Sequence, residues 1–292
     1  MTTLALRRAR PLLGTLVEIR VEGLGSADAG CAIDRAFGEI AAVHRLMSFH
    51  EAGSDLGRLH RARIGARVSV DARTHDVLAW SLRIAAASAG AFDPTVAALQ
   101  VERGRLPRPA SAWRPQKLAD WRDIELTGAT QVRLARPLWI DLGGIAKGYA
   151  VDRAIEILVG AGATQACVNA GGDLRVAGPR AEVVHVRSAA GFVAGPGVKL
   201  VDGALATSAG SSLAQTARAR AAARGSEYLR ARATASTTVS VAAPLCVVAD
   251  ALTKVARIAD TATAARVLHE FGAQAAVVSM HGRCDFLHGA AA

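Results

Sequence analysis

The sequence predicts an α+β fold of mixed, largely antiparallel sheets with packed helices, and three observations carry that expectation. Alternating apolar and polar segments recur along the chain, helical periodicity is confined to a few stretches between them, and no internal repeat or doubly wound alternation is evident. The 292 residues are 51% apolar but only 4% aromatic, so the chain can bury a sizeable core made largely of Ala, Val and Leu. One domain over residues 1–292 is expected, with two closely packed lobes as the alternative.

Thr15 to Val21 alternates as a strand, with Val17, Ile19 and Val21 on one side. Ile33, Phe37, Ile40, His44 and Met47 follow at intervals of four, three, four and three, which predicts an amphipathic helix over Asp28 to Met47. The polar, turn-rich run after Met47 gives no helix before Asp71. That carboxylate can cap a helix through Val77, Leu78, Leu82 and Ala85, ending near Gly90. Pro94 biases Asp93 away from helix, so Phe92 and Asp93 are expected on an exposed connection. Gly104 to Leu118, rich in Pro and Arg, reads as a surface excursion, and Trp121 to Leu134 as two short strands turning at Thr127-Gly128.

Leu138-Trp139-Ile140 is too short for a helix and reads as a buried strand, after which Ala150, Ile155 and Leu158 recur at helical spacing up to Gly160. With Ala166 to Asn169 as the next strand, a local β-α-β unit is expected. Glu182 to Arg187 alternates as a strand, Leu205 to Gly210 is a small-residue crossing, and Val239 to Val248 is an apolar strand interrupted by Pro244. A helix is expected to begin near Asp250 and another to span Ala262 to Phe271. Ala275 to Leu287 should close as a hairpin around His281-Gly282.

Composition narrows the function. The 35 basic and 25 acidic side chains give a formal charge of +10, which favours anionic partners such as nucleotides. The arginines are dispersed, with neither aromatic interleaving nor finger spacing, so nucleic acid is not expected. Cys31, Cys167, Cys246 and Cys284 form no C-x-x-C pair and read as small buried residues. Arginines break the apolar N-terminal segment, no stretch has the continuity of a membrane span, and a cytoplasmic protein is expected.

Residues 138–158, LWIDLGGIAKGYAVDRAIEIL, concentrate the chemistry. An acid ends an apolar run, Gly143 and Gly144 turn the chain, and Lys147 stands at a helix start where amides can lie against an anion. Asp141 could orient a polar ligand or hold a metal through water. Equally, it could only cap amides while Lys147 is solvated. Neither G-x-G-x-x-G nor a G-K-[ST] loop is present, so the Rossmann and P-loop readings are weak. Ser208, Ser211 and Ser212 lack a G-x-S-x-G elbow, which argues against a serine hydrolase. Asn169 and Asp173 could serve structure by bonding the glycine-rich turn between them.

The run D-L-G-G-I-A-K-G-Y-A-V-D resembles the central motif of the ApbE family, the FAD:protein FMN transferases. Leu13-Gly14-Thr15, Met47-Ser48 with Ser54-Asp55-Leu56, the 90–96 segment GAFDPTV, the 169–173 segment NAGGD, Ala206-Thr207-Ser208 and Ala249-Asp250-Ala251-Leu252 occur in the family's order. The resemblance implies magnesium-dependent transfer of FMN from FAD to a threonine or serine hydroxyl of an acceptor protein carrying a D-x-x-[ST]-G-A-[ST]-like motif, with release of AMP. It implies Ala91, Phe92, Asp93, Asp141, Lys147 and Ser208 as FAD-binding residues, the Gly144 carbonyl and Asp250 as metal ligands, and Asp250 and Lys147 as the central catalytic positions.

Two departures qualify the resemblance. The family's metal-binding threonine falls on Lys254, leaving either Thr253 to supply the hydroxyl through a shifted turn or Lys254 to replace part of the metal's charge. The usual H-I-x-D-P-x-T-G segment is replaced by 226–234, SEYLRARAT, with Arg230 and Arg232 as alternative phosphate contacts or merely solvated charges. The alternative function is therefore a catalytically weakened FAD-binding protein. The run 123–130, DIELTGAT, has one residue too many for the acceptor pattern, so modification of Thr130 is not expected.

Overall fold

A computed structural model describes residues 5–187, 194–209, 237–279 and 284–287. An eight-stranded sheet, in the order β1-β2-β6-β7-β10-β11-β12-β13, runs through the molecule with every neighbouring pair antiparallel. Its strands are β1 (Leu6–Leu12), β2 (Thr15–Glu22), β6 (Gln165–Ala170), β7 (Asp173–Ala177), β10 (Gly203–Ala209), β11 (Thr237–Ala243), β12 (Gln274–Ser279) and β13 (Cys284–Leu287). A small sheet joins β3 (Arg67–Ser69), β5 (Gln131–Leu134) and β4 (Ile124–Thr127), and β8 (Glu182–Arg187) pairs with β9 (Ala194–Leu200) as a separate ribbon. The fold is thus mixed α+β with antiparallel sheets, as expected.

One face of the large sheet carries the helices α1 (Ser26–Met47), α5 (Ala146–Gly160) and α6 (Cys246–Ile258), while the β8-β9 ribbon covers part of the other. The period of two along β7 shows how the sequence divides these faces. Leu174 and Val176 join Val186 and Leu200 beneath the ribbon, whereas Asp173 and Arg175 reach α5 on the helical face. On β10 and β11, Ala204, Ala206, Val239 and Val241 belong to the helix-facing core, and the small alanines let α6 lie close to the sheet.

Helices α2 (Asp55–Arg61), α3 (Ala72–Ala87), α4 (Ala97–Glu102) and α7 (Thr261–Glu270) complete the described α-helices. Asp71 accepts the Arg73 N–H at 2.9 Å and caps α3 as expected. No described helix is long and apolar enough to cross a membrane.

Several expectations are corrected. Leu138-Trp139-Ile140 is buried but belongs to no sheet, so the local β-α-β unit does not exist. In place of ladder bonds, Ile140 donates to His60 Nε2 at 2.9 Å, and Asp141 donates to the Pro94 carbonyl at 2.8 Å. Leu205 to Gly210 largely coincides with a central strand, β10, rather than a crossing. The apolar run after Val239 stops as a strand at Ala243, and α6 begins at Cys246, so Asp250 lies inside the helix. Phe92 and Asp93 are on a connection but are each only 5% exposed. The run after Met47 contains α2, capped by the Ser54 hydroxyl on Gly57 N–H at 2.9 Å. An exposed edge strand, β1, precedes Thr15 and turns into β2 at Leu13 and Gly14, whose φ values of 55° and 70° suit a two-residue hairpin turn. Residues 226–234 and the His281-Gly282 turn lie outside the described residues.

Candidate functional site

The 91–95 connection, the 138–145 segment, the first turn of α5 and the middle of α6 meet around a cavity of about 440 Å3. Ala91, Phe92, Asp93, Asp141, Gly144 and Lys147 all line it, together with Lys254. A larger concavity of about 650 Å3 opens elsewhere, past Leu138 and Trp139, and contains none of the predicted site residues. The smaller cavity is therefore the candidate site.

Its wall is fixed by short-range geometry. The Asp93 carboxylate accepts the Thr95 N–H at 2.8 Å and the Thr95 hydroxyl at 2.7 Å, which turns the chain into Pro94 and Thr95. The Pro94 carbonyl then receives the Asp141 N–H, locking the two motif segments together. The Asp141 carboxylate accepts the Gly143 N–H at 2.8 Å. Burial pushes this carboxyl up, against the pull of that N–H and the nearby Lys254 charge. Behind the wall, His60 is 1% exposed and burial depresses it to about 4, so it stays neutral and its Nε2 can accept from Ile140.

Gly143, Gly144 and Gly148 act through space rather than through backbone handedness, since none has a positive φ. A Cβ on Gly148 would come within 2.2 Å of the Cys246 carbonyl oxygen, so this glycine lets α5 and α6 touch. A Cβ on Gly144 would lie 3.3 Å from Lys254 Cε and 3.5 Å from the Phe92 ring.

At the floor, two ammoniums face two carboxylates. Lys147 Nζ is 3.0 Å from Asp173 Oδ2, and Lys254 pairs with Asp250 Oδ1 while also donating to the Asp250 carbonyl at 2.9 Å. Burial would lower Lys147, but the charges of Asp173 and Asp250 outweigh it and hold the ammonium above its ordinary value. Asp173 is raised to about 6, chiefly by burial and then by the Asp250 charge, with the lysines opposing.

Asp250 and Thr253 stand behind the cavity surface. Asp250 Oδ2 accepts the Gly148 N–H at 3.2 Å, and Thr253 donates to the Asp250 carbonyl at 2.7 Å. Ser208 and Thr253 hydroxyls share a 2.7 Å bond, which commits Ser208 to α6 rather than to the cavity lining. The fit to a divalent cation is poor. Magnesium demands a near-octahedral set of hard oxygens, yet Asp250 is engaged by Lys254 and Gly148, and Thr253 by Asp250 and Ser208. No group of three or more His, Cys, Asp or Glu suited to a metal occurs among the described residues.

Sequence reasoning missed two supporting residues. Asp152, on α5, accepts the Cys246 and Val247 N–H groups at 2.9 and 2.8 Å and the Arg175 guanidinium at 2.9 Å. It caps α6 from a neighbouring helix, because Leu245 has no polar side chain to do so. His60 is the other, and no local signal marks it, because its bond to Ile140 is tertiary. The sequence places Asp173 in a turn, but Asn169 holds that turn, accepting the Gly172 N–H at 2.9 Å, and Asp173 pairs with Lys147 instead.

The ApbE family profile matches residues 13–278. The chain belongs to the ApbE family. It is similar to an FAD:protein FMN transferase of Treponema pallidum, with 28% identity over 63% of this chain and 54% of that protein. Another of that description from Rhodobacter capsulatus is 31% identical over 57% of this chain and 34% of its own length. The matched part is thus about half or less of these relatives' length. Among solved structures, the ApbE protein from Thermotoga maritima superposes with a TM-score of 0.75 at 23% identity, covering 97% of this chain and 96% of that one. This likeness carries the ApbE fold.

Proposed function

We propose that this ApbE-family chain transfers FMN from FAD to a threonine or serine hydroxyl of an acceptor protein bearing a D-x-x-[ST]-G-A-[ST]-like motif, with release of AMP. The observation that supports it is the convergence of Ala91-Phe92-Asp93, Asp141, Gly144 and Lys147 on one cavity, from segments some fifty residues apart in the sequence. Phosphoryl transfer asks mainly for positioning and charge stabilisation. In this reading Phe92 and Ala91 give an apolar wall to a flat ring, Asp141 orients a polar edge, and Lys147 and Lys254 face the phosphates. The acceptor oxygen bonds to the FMN phosphorus as the anhydride P–O bond breaks. The bridging oxygen leaves on AMP, and the hydroxyl proton passes to water.

The magnesium dependence implied by the family resemblance is the part that the residues do not support, and no step is routed through a protein-held metal. A second reading, FAD binding without transfer, is favoured by the closed Asp250-Lys254 pair. Incubating the protein with FAD and an acceptor peptide, with and without magnesium, separates the two. Transfer yields an FMN mass increment on the peptide with equimolar AMP, whereas the second reading yields retained, intact FAD. Failure to bind FAD under either condition would defeat both.

A further inference from the structure

The floor of the cavity poses a question of charge. Asp173 and Asp250 contribute two negative charges, and Lys147 and Lys254 contribute two positive ones, each ammonium facing one carboxylate. The Asp250-Lys254 pair is deep, with side-chain exposures of 4% and 12%, and the two residues are one helical turn apart on α6. Lys254 binds Asp250 twice, through a carboxylate oxygen and through the carbonyl, and its stem passes over Gly144 into the cavity lining. A divalent ion at Asp250 would have to expel this ammonium. Besides the Gly144 carbonyl that the resemblance implies, it would then find one carboxylate and a threonine hydroxyl already bonded on both sides.

We infer that the Lys254 ammonium occupies the place of a protein-held divalent cation, so that this chain binds its pyrophosphate-bearing ligand without one. A lysine is a compact point charge on a flexible stem, able to meet a phosphate oxygen as a metal ion would, though with one charge instead of two. Lys147 lines the same cavity and supplies a second positive charge. Between them the two lysines provide the charge of one divalent ion, balanced by Asp173 and Asp250. For its ligand the inference rests on the FAD reading above. For the metal it rests on the Asp250-Lys254 geometry alone.

Lys254→Thr converts the arrangement. It releases Asp250 and places a hydroxyl one turn along the same helical face, giving an oxygen pair open to a cation. Electron paramagnetic resonance of Mn2+ added to the full chain without nucleotide should show no bound manganese in the wild type, a bound ion in Lys254→Thr, and none in Lys254→Thr combined with Asp250→Asn. In parallel, FAD affinity measured by flavin fluorescence should agree within about twofold between chelator and excess magnesium for the wild type. Lys254→Thr should bind about tenfold more weakly in chelator and recover with magnesium, while Lys254→Met should be weak in both, a loss of about 1.4 kcal/mol per tenfold. Thermal unfolding checks that each variant folds, and the wild-type arms need no variant. Manganese bound by the wild type and lost in Asp250→Asn overturns the inference, as does a wild-type FAD affinity that magnesium raises about tenfold. If the wild type binds no FAD at all, the flavin reading fails and the manganese arm still decides the role of Lys254.

Discussion

The wall and the floor of the cavity are held by opposite kinds of interaction. The wall depends on a neutral bond from Ile140 to a histidine kept uncharged by burial, while the floor is a cluster of four ionised groups around Asp173 and Asp250. A neutral hydrogen bond between buried partners fixes geometry without demanding compensation by charge. Buried carboxylates must instead be paired, and their desolvation is only partly offset. The wall can therefore be perturbed by removing an acceptor, and the floor by unbalancing a charge.

The largest effect should come from the seam that joins the floor's two helices. Gly148→Val places a branched side chain where even a Cβ would meet the Cys246 carbonyl at 2.2 Å and Asp250 Cβ at 2.9 Å. Both contacts are with rigid parts of α6, so the helices must separate, at an expected cost of about 3 kcal/mol or more. Urea unfolding should show a lower midpoint. An unchanged midpoint would mean that α5 and α6 do not touch here.

At the wall, His60→Ala removes the acceptor of the Ile140 N–H and opens a void, for about 2–4 kcal/mol. The histidine also sets a pH dependence. His60 titrates near 4 in the folded chain and near the ordinary value of 6.5 when unfolded, so the unfolded state binds more protons between these values. Its contribution is intact above about 6.5 and falls as pH drops toward 4, by at most about 3 kcal/mol. His60→Gln, which keeps an acceptor but cannot ionise, should lose less stability across that window than the wild type does.

Asp173 behaves with the opposite sign. Its folded value of about 6 lies above the ordinary carboxylate value of 3.8, so the folded state binds more protons between the two, and this group favours the fold less as pH rises through 6. Lys147→Met leaves Asp173 without its ammonium. The expected loss at neutral pH is about 2 kcal/mol, reduced from a fully buried pair because the Lys147 side chain is 35% exposed. Acidification below pH 6 should shrink this loss, since a protonated Asp173 no longer needs the lysine. A loss independent of pH would separate Lys147 from Asp173.

The elements that were legible in the sequence are those whose burial repeats. Ile33, Phe37 and Ile40 on α1 and Val17, Ile19 and Val21 on β2 are all buried, and their spacing alone reveals it. Helix α2 was hidden because only Leu56 and Leu59 are apolar in its seven residues, too few to establish a period. Strand β10 was hidden for another reason. Its helix-facing Ala204 and Ala206 are small because α6 packs against them, so the strand lacks the bulky alternation that usually marks one. Leu138 to Ile140 erred the other way, since apolar residues report burial and not a ladder partner. In the site, the collinear motifs led to Ala91, Phe92, Asp93, Asp141, Gly144 and Lys147 on the cavity and to Asp250 and Ser208 behind it. The cross-helix cap by Asp152, the last residue of the central motif, and the His60 contact are instead tertiary.

Asp250 and Thr253 are told apart by what their loss changes, and the smallest predicted effect is at Thr253. Since Asp250 lies within α6 and Asp152 caps that helix, Asp250→Asn does not remove an N-cap. It does leave Lys254 facing a neutral amide, so FAD affinity should change more than the unfolding midpoint does, and a midpoint collapse with normal FAD affinity in the folded fraction would make Asp250 purely structural. Thr253→Val is nearly isosteric and removes the hydroxyl bonded to Ser208 at 2.7 Å and to the Asp250 carbonyl at 2.7 Å. The carbonyl retains the Lys254 ammonium, and Ser208 alone loses a partner, so the cost should be about 1 kcal/mol. Thr253 is fully buried. If it only ties β10 to α6, FAD affinity in Thr253→Val should stay within about twofold of the wild type at every magnesium concentration. A magnesium-dependent loss of affinity would show instead that the Thr253 hydroxyl turns toward a cation, and would return the metal to Asp250 at the expense of Lys254.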